Sequence, residues 1–151
     1  MSAATGDRPI EILLVEDNPG DVRLTREILM DGRVSNALNV VIDGVEAMRY
    51  LRREGRYAGV PKTDLVLLDL NLPKMDGREV LSMIRSDPAL QRIPVIILTT
   101  SQDEEDVIKT YNLCANGYII KPVDLDQFFR VIRQIKEFWM SIVLLPSNES
   151  K

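Results

Sequence analysis

Five short apolar runs recur along the chain, and each ends on or just before a polar residue. They are residues 12–15 in IEILLVEDN, residues 37–43 (ALNVVID), residues 65–68 in LVLLDLNLPKMDG, residues 94–100 (PVIILTT) and residues 118–120 (YII). Runs this short are not helices. Their aliphatic and β-branched content, without polar alternation, reads as strands covered on both faces. Helix-period stretches lie between them. NPGDVRLTREILMDG carries Leu24, Ile28 and Leu29 on one face and closes at Gly32. GVEAMRYLRREG carries Val45, Met48 and Leu51 and stops at Gly55, after which RYAGVPKTD reads as a loop. GREVLSMIRSDP is broken by Pro88, DEEDVIKTYNLCANG crowds acids into its first turn and stops at Asn116–Gly117, and DLDQFFRVIRQIKEFW is the fifth helix. Five strand–helix alternations predict an α/β domain with a five-stranded parallel sheet and five helices.

In such sheets ligands bind in the crevice beyond the carboxyl ends of the strands. The first strand ends in Glu16–Asp17, the third in Asp69, the fourth in Thr99–Thr100 and the fifth in Lys121, followed by Pro122. Taken singly, each of these is an ordinary turn, cap or strand end; their joint arrival at one rim marks a site. Carboxylates about 4 Å apart repel by roughly 1 kcal/mol in water and about 4 kcal/mol at an effective dielectric of 20. A hard divalent cation with oxygen ligands relieves that repulsion, and Mg²⁺ suits it best. Lys121 counters the remaining charge, and the Thr99 hydroxyl is placed to donate to an incoming oxyanion. Asp69, on the central strand, is the carboxylate best placed to attack phosphorus and carry an acyl phosphate.

The rest of the composition removes other classes. At 151 residues the chain is the size of one domain, expected over residues 10–140, with a flexible N-terminus at 1–9 and a C-terminal extension at 141–151. With net charge −4 and no basic stripe, nucleic acid is not an expected partner. Without an apolar run of membrane length or a signal-peptide core, a cytoplasmic protein with no membrane contact is expected. The absence of histidine excludes Ser–His and Cys–His catalysis and imidazole-bound zinc, and leaves any phosphohistidine to a partner. Cys114, the single cysteine, reads as a small residue near a helix end rather than a nucleophile.

These residues resemble the receiver domain of two-component response regulators of the chemotaxis type, over roughly residues 10–137. The resemblance implies a doubly wound, flavodoxin-like sheet of strand order 2-1-3-4-5. It implies that Glu16 and Asp17 in VEDN, Asp69 in LLDLNLPKMDG and the backbone carbonyl of Asn71 hold Mg²⁺. It makes Asp69 the phospho-acceptor, Thr99 the switch hydroxyl, Tyr118 in GYIIKP the switch aromatic and Lys121 the lysine of the site, with a cis Lys121–Pro122 bond. Many members carry two aspartates where this chain has Glu16–Asp17, so the longer Glu16 is expected to reach the metal through water. The tail, with FW followed by an apolar run and LP, and the long loop REGRYAGVPKTD are similar to stand-alone regulators paired with bacterial phytochrome histidine kinases.

The expected function is therefore that of a single-domain response regulator. It would take a phosphoryl group from a sensor histidine kinase, possess no enzyme activity beyond its own phosphotransfer and slow autodephosphorylation, and serve phytochrome light signalling. Two alternatives stand beside it. A phosphatase working through an aspartyl phosphate needs an acid two residues after its nucleophile, where this chain has Asn71. A binding module that never uses the phosphate site would usually lack the acceptor or the lysine, and both are present. The stripe Phe128, Val131/Ile132, Ile135, Phe138/Trp139, Ile142 has helical spacing. Its inner half is expected in the core, and its outer end is expected to cover a second copy of the chain across helices four and five and strand five. Helix one, with Val22, Arg23 and Arg26, is expected to face the kinase.

Overall fold

The structure is a computed structural model that describes residues 9–30, 35–100, 115–124, 126–131 and 133. Its sheet consists of β1 (Ile10–Val15), β2 (Asn36–Val41), β3 (Leu65–Asp69), β4 (Val95–Thr99) and β5 (Gly117–Ile120). All pairings are parallel, in the order β2-β1-β3-β4-β5. The order reverses between β1 and β3, so the strand ends carrying Glu16 and Asp69 flank the switch point where such sheets bind ligands.

Helices cover both faces, which is why β3 and β4 are buried at every position. Alternate residues feed two cores. Leu13, Val15, Val66, Leu68 and Ile97 pack on the side of α2 (Gly44–Arg52) and α3 (Gly77–Ser86). Ile12, Leu14, Leu67, Leu98 and Ile119 pack on the side of α1 (Pro19–Leu29) together with Phe128 and Val131. Residues 126–131 are helical, and Phe128 and Val131 are the part of the predicted stripe that lies within the core. Ile132, Ile135, Phe138, Trp139, Ile142, the predicted fourth helix and Cys114 lie outside the described residues.

Each described helix opens on a side-chain cap. The Asn18 side chain accepts from the Asp21 amide (3.0 Å), with Pro19 as the first helical residue. Asp43 accepts from the Glu46 amide (2.8 Å). Asp76 accepts from the Arg78 amide (2.6 Å) while Glu79 accepts from the Asp76 amide (3.3 Å).

Several boundaries differ from the sequence expectation. β1 starts two residues earlier and β2 ends at Val41, because Asp43 is recruited as the α2 cap. Helix α1 closes at Met30 rather than Gly32, which lies outside the described residues. Helix α2 stops at Arg53, which takes the left-handed conformation (φ 55°, ψ 48°), and Gly55 instead opens a short 3-10 turn, Gly55–Tyr57. Tyr57 and Arg56 of that turn clasp Glu46 at 2.6 and 2.7 Å. The buried face of α2 is Ala47, Met48, Tyr50 and Leu51, with Val45 only half-buried. Gly117 opens β5, and the helix expected before it lies outside the described residues; Asn116 accepts from the Val95 amide (2.8 Å) and from Arg85 of α3 (2.9 Å).

Two glycines set how closely α2 and α3 approach the segment after β3. A Cβ on Gly77 would lie 2.5 Å from the Asp69 carbonyl oxygen and 2.7 Å from Leu70 Cα. A Cβ on Gly44 would collide with the Met75 carbonyl oxygen. Only glycine allows backbone to meet backbone at these points.

Candidate functional site

Lys121 organises the rim. It leaves β5 at the carboxyl end, its amide donating to the Thr99 carbonyl (2.7 Å), and its peptide bond to Pro122 is cis. Its ammonium lies 2.9 Å from Glu16 Oε1, 3.0 Å from Asp21 Oδ2 and 3.0 Å from Asp69 Oδ2. One ammonium thus meets three carboxylates, donating hydrogen bonds to Asp21 and Asp69 and pairing by charge with Glu16. Asp69 is 3% exposed, and its second oxygen accepts from the Asn71 amide (3.0 Å). Glu16 is 1% exposed, and its Oε2 accepts from the Asn18 amide (3.2 Å).

Burial shapes the titration of this group. Burial alone would favour the neutral amine of Lys121, yet the ion pair with Glu16 and the hydrogen bonds that the ammonium donates to Asp69 and Asp21 outweigh it and hold the ammonium above the usual lysine range. The Glu16 carboxyl is pushed up to about 7, first by burial and then by the neighbouring Asp69; Lys121 pulls it down without cancelling either.

Glu16, Asp17 and Asp69 each bring a carboxylate oxygen within 4.8 Å of the others, Asp17 exposed and the other two buried. Glu16 Oε1 is enclosed and accepts no directed hydrogen bond despite its ion pair with Lys121. A buried oxygen with spare capacity, beside two further hard donors, fits a hard divalent cation. Glu16, expected to reach the metal through water, folds into the crevice and makes direct contact with Lys121.

The other predicted residues fall around this centre. Thr99 is fully buried at the end of β4, one register step from the Asp69–Leu98 pair. Tyr118 is half-buried and packs on the α2–α3 side core. Asn71 is exposed on the loop after β3. Arg23 and Arg26 are exposed along α1, and Val22 packs inward. Asp21 is a site residue that the sequence reading did not single out. An acid in the first turn of a helix is normally a favourable partner of the helix dipole, and only the fold brings it to Lys121.

This combination defines a doubly wound α/β protein with an acidic crevice countered by one lysine. The family model for the response regulator receiver domain matches residues 12–133. Response regulator Rcp1 of Synechocystis sp. is 46% identical over 139 residues, which span 92% of this chain and 95% of that protein. The Mn(2+)-bound structure of response regulator Rcp1 has a TM-score of 0.72, covering 87% of this chain and 94% of that one. The bacteriophytochrome response regulator RtBRR has a TM-score of 0.79 at 44% identity, covering 84% of this chain and 78% of that one. The phosphorylated cyanobacterial phytochrome response regulator RcpA has a TM-score of 0.74 at 51% identity, covering 89% and 96%. The chain belongs to the response regulator receiver domain family of two-component signalling, and within it is related to phytochrome response regulators. No helix among the described residues is long and apolar enough to cross a membrane.

Proposed function

We propose that this chain is a phospho-receiver whose acceptor is Asp69 and whose donor is the phosphohistidine of a sensor histidine kinase, in phytochrome-type light signalling. The observation that carries the reading is the Asp69 carboxylate, enclosed in the crevice, 3.0 Å from the Lys121 ammonium and within 4.8 Å of the Glu16 and Asp17 oxygens. An Asp69 oxygen forms the new P–O bond, the P–N bond to the partner's imidazole breaks, and the imidazole leaves with the bonding pair. Glu16, Asp17, Asp69 and the Asn71 carbonyl are the residues to hold Mg²⁺, which when bound supplies positive charge against the transferring group. Lys121 exchanges its contact with the carboxylate for one with a phosphoryl oxygen.

The Thr99 hydroxyl turns toward the added charge, and Tyr118 changes its packing to follow, which biases the surface around β5 and the helices beside it. That surface, with helices four and five and the C-terminal extension, is the proposed homodimer contact. The face of α1 bearing Arg23 and Arg26 receives the kinase. Similarity to the bacteriophytochrome and cyanobacterial phytochrome regulators supports a phytochrome kinase as the donor.

The test is incubation with acetyl phosphate and Mg²⁺ followed by intact-mass measurement. One phosphoryl group is expected on the wild-type protein and none on Asp69→Asn; equal labelling of the two would overturn the assignment. Sedimentation with and without a beryllofluoride mimic tests the dimer, and phosphotransfer from a panel of purified histidine kinases tests the donor.

A further inference from the structure

At the amino-terminal ends of β3 and β4 the surface opens into a cleft of about 440 Å³. It sits at the opposite end of the sheet from Asp69; β3 is 5 residues long, so roughly 15 Å of strand separates them. The cleft has an apolar floor. Leu51 and Leu90 are buried in the core, and Pro94 is buried between the floor and β4. Its rim carries four cations, Arg52, Arg53, Lys62 and Arg92, against one acid, Asp64.

The acids nearby are already engaged. Asp87 pairs with Arg52 at 3.3 Å, and Asp64 accepts from the Glu11 amide at 2.8 Å. Arg53, Lys62 and Arg92 have no carboxylate within ion-pair distance among the described residues. Like charges collected around a concave surface focus a positive potential, here on a chain of net charge −4.

Ordinary helix electrostatics explains only part of this. Cations at the C-terminus of α2 complement its dipole, which accounts for the charge on Arg52 and Arg53. Lys62 and Arg92 come from other segments and gain nothing from that helix. Nor does the dipole explain why position 53, in the left-handed region at φ 55°, holds an arginine where glycine is the relaxed choice.

We propose that this cleft binds a small organic phosphate of nucleotide size, its apolar part against Leu51, Leu90 and Pro94 and its phosphates on Arg53, Lys62 and Arg92. The volume lies in the range of small-molecule sites, about 300–1,000 Å³. Guanidinium groups match phosphate oxygens in bidentate geometry. The site is independent of the phosphoryl acceptor and would stand if that assignment fell.

The probe is ADP, titrated calorimetrically into the full chain in EDTA so that metal-dependent binding in the Asp69 crevice is silent. Saturable binding at one site is expected, weakened at least about tenfold in Arg53→Gly and in Arg92→Gln. Arg53→Gly is expected to keep or raise the thermal midpoint, because glycine suits the left-handed backbone, so lost binding would not reflect lost folding. Asp69→Asn is expected to bind ADP like the wild type. Adenosine and pyrophosphate, each offering half of the recognition, are expected to bind more weakly than ADP. The proposal is overturned by absence of saturation at millimolar ADP, by unchanged affinity in both arginine variants, by loss of binding in Asp69→Asn, or by adenosine or pyrophosphate binding as tightly as ADP.

Discussion

The carboxylate of Asp21 lies 3.0 Å from the ammonium of Lys121, 100 positions further along the chain. Asp21 is outside the three-acid cluster, so a cation bound by Glu16 and Asp69 would leave its contact with Lys121 in place. Its side chain is 32% exposed, which limits the strength of the pair. Asp21→Asn is expected to lower the unfolding free energy by about 0.5–1 kcal/mol while leaving acetyl-phosphate labelling intact. Urea titration and intact mass check the two halves; a variant as stable as the wild type would show that the contact contributes nothing.

Removing the lysine itself has a larger effect. Lys121→Met leaves Glu16 and Asp69 buried without their counter-charge, which in metal-free buffer costs about 3 kcal/mol. A cation at 100 times its dissociation constant returns about 2.7 kcal/mol. Because Lys121 competes for the same oxygens, the Mg²⁺-induced rise in melting temperature is expected to be greater in the variant than in the wild type. Calorimetry in EDTA and in excess Mg²⁺ measures both; an equal rise would argue that the lysine and the cation do not share ligands.

Glu16 gives the apo protein a pH dependence of definite sign. Its carboxyl titrates near 4.5 when free and near about 7 in the fold. Between those values the folded chain holds a proton that the unfolded chain has released, so stability falls as pH rises through this window, by up to about 3 kcal/mol. The raised Lys121 value lies above the window and adds a constant there. Urea unfolding in EDTA at pH 5 and pH 8 is expected to show the decline in the wild type and a flatter profile in Glu16→Gln. A steeper decline in the variant would reverse the assignment.

Gly77 is the position where one methyl group does most harm. An added Cβ meets the Asp69 carbonyl oxygen and Leu70 Cα, both backbone atoms unable to rotate aside. Gly77→Ala is expected to cost about 1–3 kcal/mol and to slow labelling of Asp69, because the clash displaces the Asp69 peptide. Unchanged stability and labelling would mean that α3 slides away freely.

Most of the sheet was legible because β3 and β4, buried on both sides, write themselves as unbroken aliphatic runs. The rim acids were legible because a polar residue at the end of such a run has few places to go. What escaped were residues with two plausible local duties. Asp21 looks like a dipole partner until β5 delivers Lys121 beside it. Asp43 continues a strand by pattern but serves as a cap, and Asn116 also ties α3 and β4 together. Arg53 ends α2 ahead of the glycine that propensity favours, since no local rule places an arginine at positive φ.

The glycines that open α2 and α3 divide the molecule mechanically. Backbone wedged against backbone on either side makes the stretch from Asp69 to Gly77 a stator. Thr99, Tyr118 and Lys121 meet that stretch through strand pairing and the Lys121–Asp69 ion pair. A group added at Asp69 would thus meet wedged backbone on one side and the end of β4 on the other.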